Sequence, residues 1–172
     1  LFIGNRDGNT LVFRNSATPG SSTPAYALAA TNPLGIKDVG LSAAAAFTAA
    51  PAFTDADGDG DLDLFIGNRA GNTLFFRNTA APGSSDPSYS QERGGKGKPN
   101  PFGITDVGLN ASPAFIDPDN DSDLDLFIGN RDGNTLVFRN SATPGSSTPA
   151  YALAATNPLG IKDVGLSAAA AF

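Results

Sequence analysis

The stretch Leu64-Phe-Ile-Gly-Asn-Arg-Ala-Gly-Asn-Thr-Leu-Phe-Phe-Arg-Asn78 sets the pattern of the whole chain. Its residues alternate as in an extended strand, with Leu64 and Ile66 on one face and Phe65 on the other. A four-residue linker interrupts the alternation, and in two other copies of the stretch this linker ends in Asp-Gly. Asp-Gly between two alternating runs is a strong hairpin signal. The stretch therefore predicts two antiparallel strands, over 61–67 and 72–78.

The hairpin belongs to a repeat of about 62 residues. Residues 1–47 recur without change at 126–172, and Leu64–Asn78 matches Leu1–Asn15 except at positions 70 and 75. We expect a third strand over Tyr26–Ala30, after a loop rich in Pro, Gly and Ser, and a fourth strand that runs toward Phe53 or Phe115. We divide the chain into unit 1 (1–63), unit 2 (64–125) and a partial unit 3 (126–172) that is identical to 1–47.

The repeat predicts an all-β fold. No segment has a convincing helical period, and the Ala43–Ala46 run is only one turn long. Four short antiparallel strands at a fixed spacing are typical of a β-propeller, whereas the coils of a β-solenoid are normally much shorter. We predict a β-propeller of four-stranded antiparallel blades, with about three blades' worth in the chain. Unit 1 then starts at the second strand of one blade and includes the first strand and the acidic loop of the next.

The acidic residues are concentrated in two places. The chain carries 17 acidic and 11 basic residues, and ten of the acids lie in two nine-residue windows, Asp55–Asp63 and Asp117–Asp125. The rest of the chain has seven acidic and 11 basic residues. It is therefore mildly basic, although the net charge of the whole chain is −6. Two compact groups of carboxylates in such a background indicate bound cations rather than a generally acidic surface.

Both windows have carboxylates at positions 1, 3, 5, 7 and 9. Calcium takes six to eight oxygen ligands, and alternate residues of a tight loop can supply them from one side. We expect side-chain ligation at positions 1, 3, 5 and 9 and a backbone carbonyl ligand at position 7. The candidate residues are Asp55, Asp57, Asp59, Asp61 and Asp63 in the first loop, and Asp117, Asp119, Asp121, Asp123 and Asp125 in the second. This assignment gives about two structural Ca²⁺ ions per chain; Mg²⁺ fits less well because it prefers stricter octahedral geometry.

The first loop has a Gly at position 6, where a loop must turn sharply around an ion, and the second loop has Ser122 there. Neither loop is an EF-hand, because Ile66 and Ile128 stand at position 12 in place of a bidentate Glu. The alternative interpretation is a solvated acidic turn without an ion, and it is stronger for the second loop.

Asp-x-Asp-x-Asp-Gly-x-x-Asp-Leu, preceded by Pro-Ala-Phe and followed by Phe-Ile-Gly-Asn, resembles the FG-GAP/VCBS repeat. The resemblance covers nearly the whole chain, as two complete units and two part-units. It implies blades of integrin-α-like propellers and of large extracellular bacterial proteins. It also implies a structural calcium ion in the loop between the first and second strands of each blade. The sequence departs from the pattern at Ser122 and in the Ala-rich stretch Ser42–Phe53.

Composition excludes several classes of function. Because the chain has no Cys and no His, it has no disulfide, no Cys/His zinc site and no thiol or imidazole catalysis. We expect no enzymatic activity, since most carboxylates belong to the acidic loops. We also expect no nucleic-acid binding, because the basic segment Arg93–Lys98 has only three charges, and no membrane span, because no long apolar run occurs. A chain without a leader or an initiating Met is expected to be a mature fragment or an excised piece.

Two functions stay open. The first is a non-enzymatic, calcium-stabilised structural or adhesion module, extracellular or on the cell surface. The second is a lectin-like propeller that recognises a glycan or a protein. The strand count of three, four, four and one gives 12 strands, which is three blades' worth. A closed propeller needs at least four blades. We therefore expect the chain to pair with other copies of itself, as a two-chain, six-bladed ring or as part of a tandem array.

Overall fold

The described residues form three small antiparallel sheets. The structure is a computed structural model that describes residues 2–5, 7, 9–18, 23, 25–36, 49–84, 86–143 and 146–169. Within each sheet the strands are ordered as they follow in the chain. The first sheet holds β1 (Phe2–Gly4), β2 (Thr10–Asn15) and β3 (Tyr26–Thr31). The second sheet holds β4 (Ala49–Thr54), β5 (Asp63–Asn68), β6 (Thr73–Asn78) and β7 (Tyr89–Glu92). The third sheet holds β8 (Ser112–Ile116), β9 (Asp125–Gly129), β10 (Thr135–Asn140) and β11 (Tyr151–Thr156).

The all-β fold and the four-strand unit are confirmed. The predicted strands 61–67 and 72–78 appear as β5 and β6, and Phe53 and Phe115 lie in the first strands of the second and third sheets. These two Phe residues have the same register, because Phe53 pairs with Leu64 and Phe115 pairs with Leu126. The Ala43–Ala46 run lies outside the described residues, and so do the last three residues of the C-terminal segment where the single last strand of the count is expected. The described strands form three separate sheets rather than a closed ring.

Each hairpin is held by the first Asn of its linker. The Asn68 side-chain oxygen accepts the N–H of Asn72, and the Asn130 side-chain oxygen accepts the N–H of Asn134, both at 3.0 Å. Asn5 makes the equivalent bond to the N–H of Asn9. Because these bonds span only four residues, they form the same turn in each copy.

The second sheet lies between the other two, and both of its faces are buried. On one face Leu64, Ile66 and Phe76 pack with Ile36 from the segment that follows the first sheet. On the other face Phe65 and Phe75 pack against the third sheet, in a cluster that includes Leu126, Ile128 and Phe138. This packing explains the alternation of large apolar residues on both faces of β5, since a sheet that is covered on both sides needs no polar face. Among the described residues, no helix is long and apolar enough to cross a membrane.

A turn outside the sheets connects each sheet to the next. In the first sheet's turn, the N–H of Ile36 donates to the carbonyl of Pro33 at 3.0 Å, with Leu34 and Gly35 at positive φ. The carbonyl of Leu34 then accepts the N–H of Tyr89, in the last strand of the second sheet, at 2.6 Å. The second sheet repeats this contact, because the N–H of Tyr151 donates to the carbonyl of Phe102 at 2.8 Å. The two sheet-to-sheet junctions are therefore built in the same way, each from one turn and one backbone hydrogen bond to a Tyr.

Candidate metal centre

Each acidic loop joins the first two strands of a four-stranded sheet. The first loop runs from Asp55, directly after β4, to Asp63, the first residue of β5. The second runs from Asp117, directly after β8, to Asp125, the first residue of β9. The strands on either side pair from their ends at the loop, with Thr54 opposite Asp63. Pairing of the two short strands thus brings both ends of each loop together, at the end of the sheet where these strands meet the loop.

The first loop is wound around the carboxylate at its first position. Asp55 accepts backbone N–H groups from Gly58 at 2.8 Å, Asp59 at 3.1 Å and Gly60 at 3.0 Å. Asp59 in turn accepts the N–H of Asp61 at 2.9 Å. Gly60 at position 6 has a φ of 91°, in the left-handed region that favours glycine. The role that the sequence suggests for this Gly is therefore the one it has in the structure.

The second loop has the same conformation. Asp117 accepts the N–H groups of Asp121 at 3.2 Å and Ser122 at 3.0 Å, and Asp121 accepts the N–H of Asp123 at 3.0 Å. Ser122 has a φ of 75°, although it carries a side chain. The sharp turn is thus kept at position 6 with a residue that rarely adopts this conformation.

Three carboxylates converge in each loop. One oxygen from each of Asp55, Asp57 and Asp59 lies within 4.8 Å of the other two. The second loop brings Asp117, Asp119 and Asp121 together in the same way. These are positions 1, 3 and 5, which we predicted as side-chain ligands. Hard carboxylate oxygens at this spacing fit an oxygen-loving cation such as Ca²⁺.

The carboxylates at position 9 point into the sheet instead of joining these groups. Asp63 is almost completely buried, and it accepts the N–H of Asn78 at 2.7 Å and that of Ala56 at 3.1 Å. Burial is the main reason why the pKa of Asp63 is raised to about 6, although its two backbone hydrogen bonds act against the shift. Asp125 is buried in the same way and accepts the N–H of Asn140 at 2.8 Å. Burial raises its pKa too.

Two buried oxygens in the loops lack a hydrogen bond within the described part of the chain. They are Oδ2 of Asp61, at position 7, and Oδ2 of Asp125, at position 9, although the Nε of Arg139 lies 3.3 Å from the second. A buried carboxylate oxygen without a hydrogen bond is costly. These two oxygens lie outside the convergent groups, so the donors that fit a cation at each loop are the carboxylates at positions 1, 3 and 5.

Sequence reasoning missed an arginine at each loop. Arg77, in β6, pairs with Asp57 and with Glu92, and Arg139, in β10, pairs with Asp119. Both arginines come from the third strand of their four-stranded sheet and reach position 3 of the acidic loop. The signal was available, because Arg14, Arg77 and Arg139 stand at the same position of the three units. These cations offset part of the repulsion among the loop carboxylates.

Two carboxylates outside the loops accept a hydrogen bond from the backbone of a following glycine. Asp106 accepts the N–H of Gly108 at 2.8 Å, and Asp163 accepts that of Gly165 at 2.7 Å. Asp38, their counterpart in unit 1, lies outside the described residues. Lys96 and Lys98 lie in an exposed segment around a 3-10 turn, Gly95–Gly97.

A groove of about 280 Å³ lies between the two acidic loops. Its walls come from both four-stranded sheets and are mainly polar, and they include Thr54, Asp55, Ser122, Asp123, Asn140 and Tyr151. Burial raises the pKa of the Tyr151 phenol well above its usual value. The groove offers hydroxyl, amide and carboxylate groups to a polar ligand.

Comparison of the chain with protein-family models, with curated proteins and with solved structures gave no match.

Proposed function

We propose that the chain is a calcium-stabilised β-propeller segment of the FG-GAP/VCBS kind, and that it serves as a non-enzymatic structural or adhesion module outside the cell. The convergence of the carboxylates at positions 1, 3 and 5, repeated at the same place in two successive sheets, carries this proposal. The two loops differ at positions 2, 4 and 6, yet both keep all five carboxylates and the same bonds from the backbone to the first carboxylate.

The arrangement of the sheets supports the propeller part of the proposal. Blades of a propeller are four-stranded sheets that follow one another in the chain and pack face to face. The second sheet is buried on both faces by its two neighbours, and the two junctions use the same Tyr N–H bond to the preceding turn. A regular repeat of this kind extends naturally to further blades.

Calcium has a stabilising role in this proposal. Each loop holds five carboxylates, and among the described side chains one arginine reaches each loop. A divalent cation bound by oxygens at positions 1, 3 and 5, and by the backbone at position 7, relieves the repulsion and fixes the loop that joins the first two strands. Exposed loops of this kind suit the millimolar calcium of an extracellular setting.

Thermal unfolding with calcium and with a chelator tests the proposal. Because calcium binds the folded form preferentially, we expect two ions at about 100 times their Kd to raise the Tm by on the order of 10 °C. Titration calorimetry should give about two ions per chain. Equal Tm values in calcium and in chelator would contradict the calcium part of the proposal.

Matched variants locate the effect. We expect Asp59→Ala to reduce the calcium-dependent rise in Tm more than Asp121→Ala, because the first loop has the better Gly at position 6. Asp132→Ala is the control, since Asp132 is exposed and its counterpart in unit 2 is already Ala70. If Asp132→Ala reduced the calcium-dependent rise in Tm as much as the loop variants do, the rise would be due to the net charge of the protein and not to the loops.

The groove between the acidic loops supports a second candidate function, recognition of a glycan. It is slightly smaller than most small-molecule pockets, and its polar walls match sugar hydroxyls better than an apolar ligand. A glycan array probed with the protein in calcium, and with an Asn140→Ala variant as the comparison, tests this function. Binding that the variant abolishes would favour recognition over a purely structural role.

A further inference from the structure

The turn that links successive sheets occurs three times, and two of its copies have a partner among the described residues. Its sequence is Asn-Pro-Leu-Gly-Ile at 32–36 and 157–161, and Asn-Pro-Phe-Gly-Ile at 100–104. All three copies have the same conformation, because Ile161 donates to the carbonyl of Pro158 at 2.9 Å as Ile36 does to Pro33. The residues before Ile in the third copy, Leu159 and Gly160, have φ values of 58° and 81°.

The first two copies are filled by a tyrosine of the next sheet. A Cβ at Gly35 would collide with the carbonyl oxygen of Tyr89, and a Cβ at Gly103 would collide with that of Tyr151. Glycine is therefore needed at these positions for the close approach of two backbones, as well as for its positive φ. We call this feature, a turn that receives a tyrosine backbone, the tyrosine socket.

The third socket is formed but empty within the described part of the chain. A Cβ at Gly160 would meet nothing within 4 Å. Leu159 is 77% exposed. Val164 is 69% exposed, whereas Val107, its counterpart in unit 2, is 5% exposed. The outer side of the third sheet thus exposes the counterparts of Phe102 and Val107, which pack at the junction between the second and third sheets.

The matching tyrosine lies exposed on the first sheet. Tyr26 is 52% exposed, while Tyr89 and Tyr151 are both nearly buried, and Ile3 is 43% exposed where Ile66 and Ile128 are fully buried. Within the described residues, one outer sheet therefore carries a socket that holds no tyrosine, and the other carries an exposed tyrosine.

We infer that the socket at Leu159–Ile161 receives Tyr26 of a second copy of this chain, in a head-to-tail contact. The occupant follows from the repeat itself. The socket sequence is identical to the one that already binds Tyr89, and the Tyr26 face is identical to the one that already binds the second sheet through Tyr151. Both sides of the new interface are thus copies of surfaces that already meet within the chain. They come together in the same orientation as at the existing junctions.

This inference rests on the propeller arrangement proposed above, but not on calcium. A head-to-tail contact joins two different surfaces, so it closes into a ring where the rotation allows and otherwise continues as a filament. In either case Tyr26 becomes buried and Gly160 comes against the tyrosine backbone.

Solution mass of the 172-residue chain tests the inference, measured in calcium and in chelator so that a failure of the calcium proposal is seen separately. We expect assemblies with at least twice the chain mass of 17.4 kDa. Gly160→Asn should return the protein to the monomer, because Asn tolerates positive φ but its Cβ blocks the socket. Gly97→Asn is the matched control, since Gly97 also has positive φ and open space around it, and it should assemble as the wild type does.

Nitration of tyrosine gives a second measurement that does not depend on mass. The chain has three Tyr residues, and Tyr26 is the exposed one. We expect Tyr26 to react in the Gly160→Asn variant and to be protected by at least tenfold in the wild-type assembly. A wild-type chain that stays monomeric at all concentrations, an assembly that survives Gly160→Asn, or an assembly in which Tyr26 stays reactive would each overturn the inference.

Discussion

Ser122 holds the left-handed position of the second acidic loop, where the first loop has Gly60. Any residue with a side chain pays a conformational cost at a φ of 75°, on the order of 1 kcal/mol. The backbone N–H at this position still binds Asp117, so the loop keeps its shape in spite of that cost. At the scale of the residue, the two loops therefore have one geometry but different stability.

We predict that Ser122→Gly stabilises the protein by about 0.5–1 kcal/mol, because Gly adopts positive φ without the clash of a Cβ. Calcium affinity of the second loop should rise with it, as the loop is then better preorganised. Urea unfolding in chelator measures the first effect, and calorimetry the second. Ser122→Ala is the control, since it removes the hydroxyl but keeps the Cβ. A gain in the Ala variant equal to that in the Gly variant would show that the backbone conformation is not the cause.

The sheet-to-sheet junction is the element that makes the repeat into one body. At each junction a turn with two positive φ angles presents a carbonyl to the N–H of a buried Tyr, and the following Ile enters the core between the sheets. The glycine of the turn lets the two backbones touch. The sheets are held by this contact as well as by apolar packing, which fixes their relative position.

We predict that Gly103→Ala destabilises the protein by roughly 1–3 kcal/mol more than Gly97→Ala. Both glycines have positive φ, so the cost of backbone strain is common to the two variants. Only position 103 places the new Cβ against the carbonyl of Tyr151. Urea unfolding at fixed calcium gives the difference. Equal losses in the two variants would mean that the close approach at the junction adds nothing to stability.

The second sheet is the most strongly stabilised part of the whole molecule, because it has a neighbouring sheet on each face. The second sheet is covered on both faces, whereas the outer faces of the first and third sheets carry exposed apolar residues such as Ile3 and Leu159. In a repeat protein, stability is approximately the sum of the units and of their interfaces, so a unit with two neighbours is the most stable. The ends are also the surfaces through which copies are inferred to meet.

We predict that backbone amides of β5 and β6 exchange with solvent more slowly than those of β1, β2 and β3. Local opening of the first sheet breaks one interface, while opening of the second sheet breaks two. Hydrogen exchange on the Gly160→Asn variant, which keeps the outer faces free, measures the order. Assembly should raise protection in the first and third sheets most. Equal protection of all three sheets in the monomer would contradict this account.

The amino-acid sequence by itself determined the local structure of the chain. Alternation of residues, the Asp-Gly linkers and the spacing of the acidic residues predict the hairpins and the loop shape, because the hydrogen bonds involved span only a few residues. The convergence of Asp55, Asp57 and Asp59 follows from the same short-range bonds. The inward turn of Asp63 was not predicted, since it depends on Asn78, in a different strand.

Tertiary structure alone decided which surfaces are buried. Tyr26 and Tyr151 have the same sequence around them and the same place in a strand, yet one is 52% exposed and the other 5%. Leu34 and Leu159 differ in the same way, because only the first has a following sheet to cover it. Backbone conformation is set by neighbours along the chain, whereas burial is set by what lies across an interface. Identical sequences therefore give identical turns and strands, but different environments.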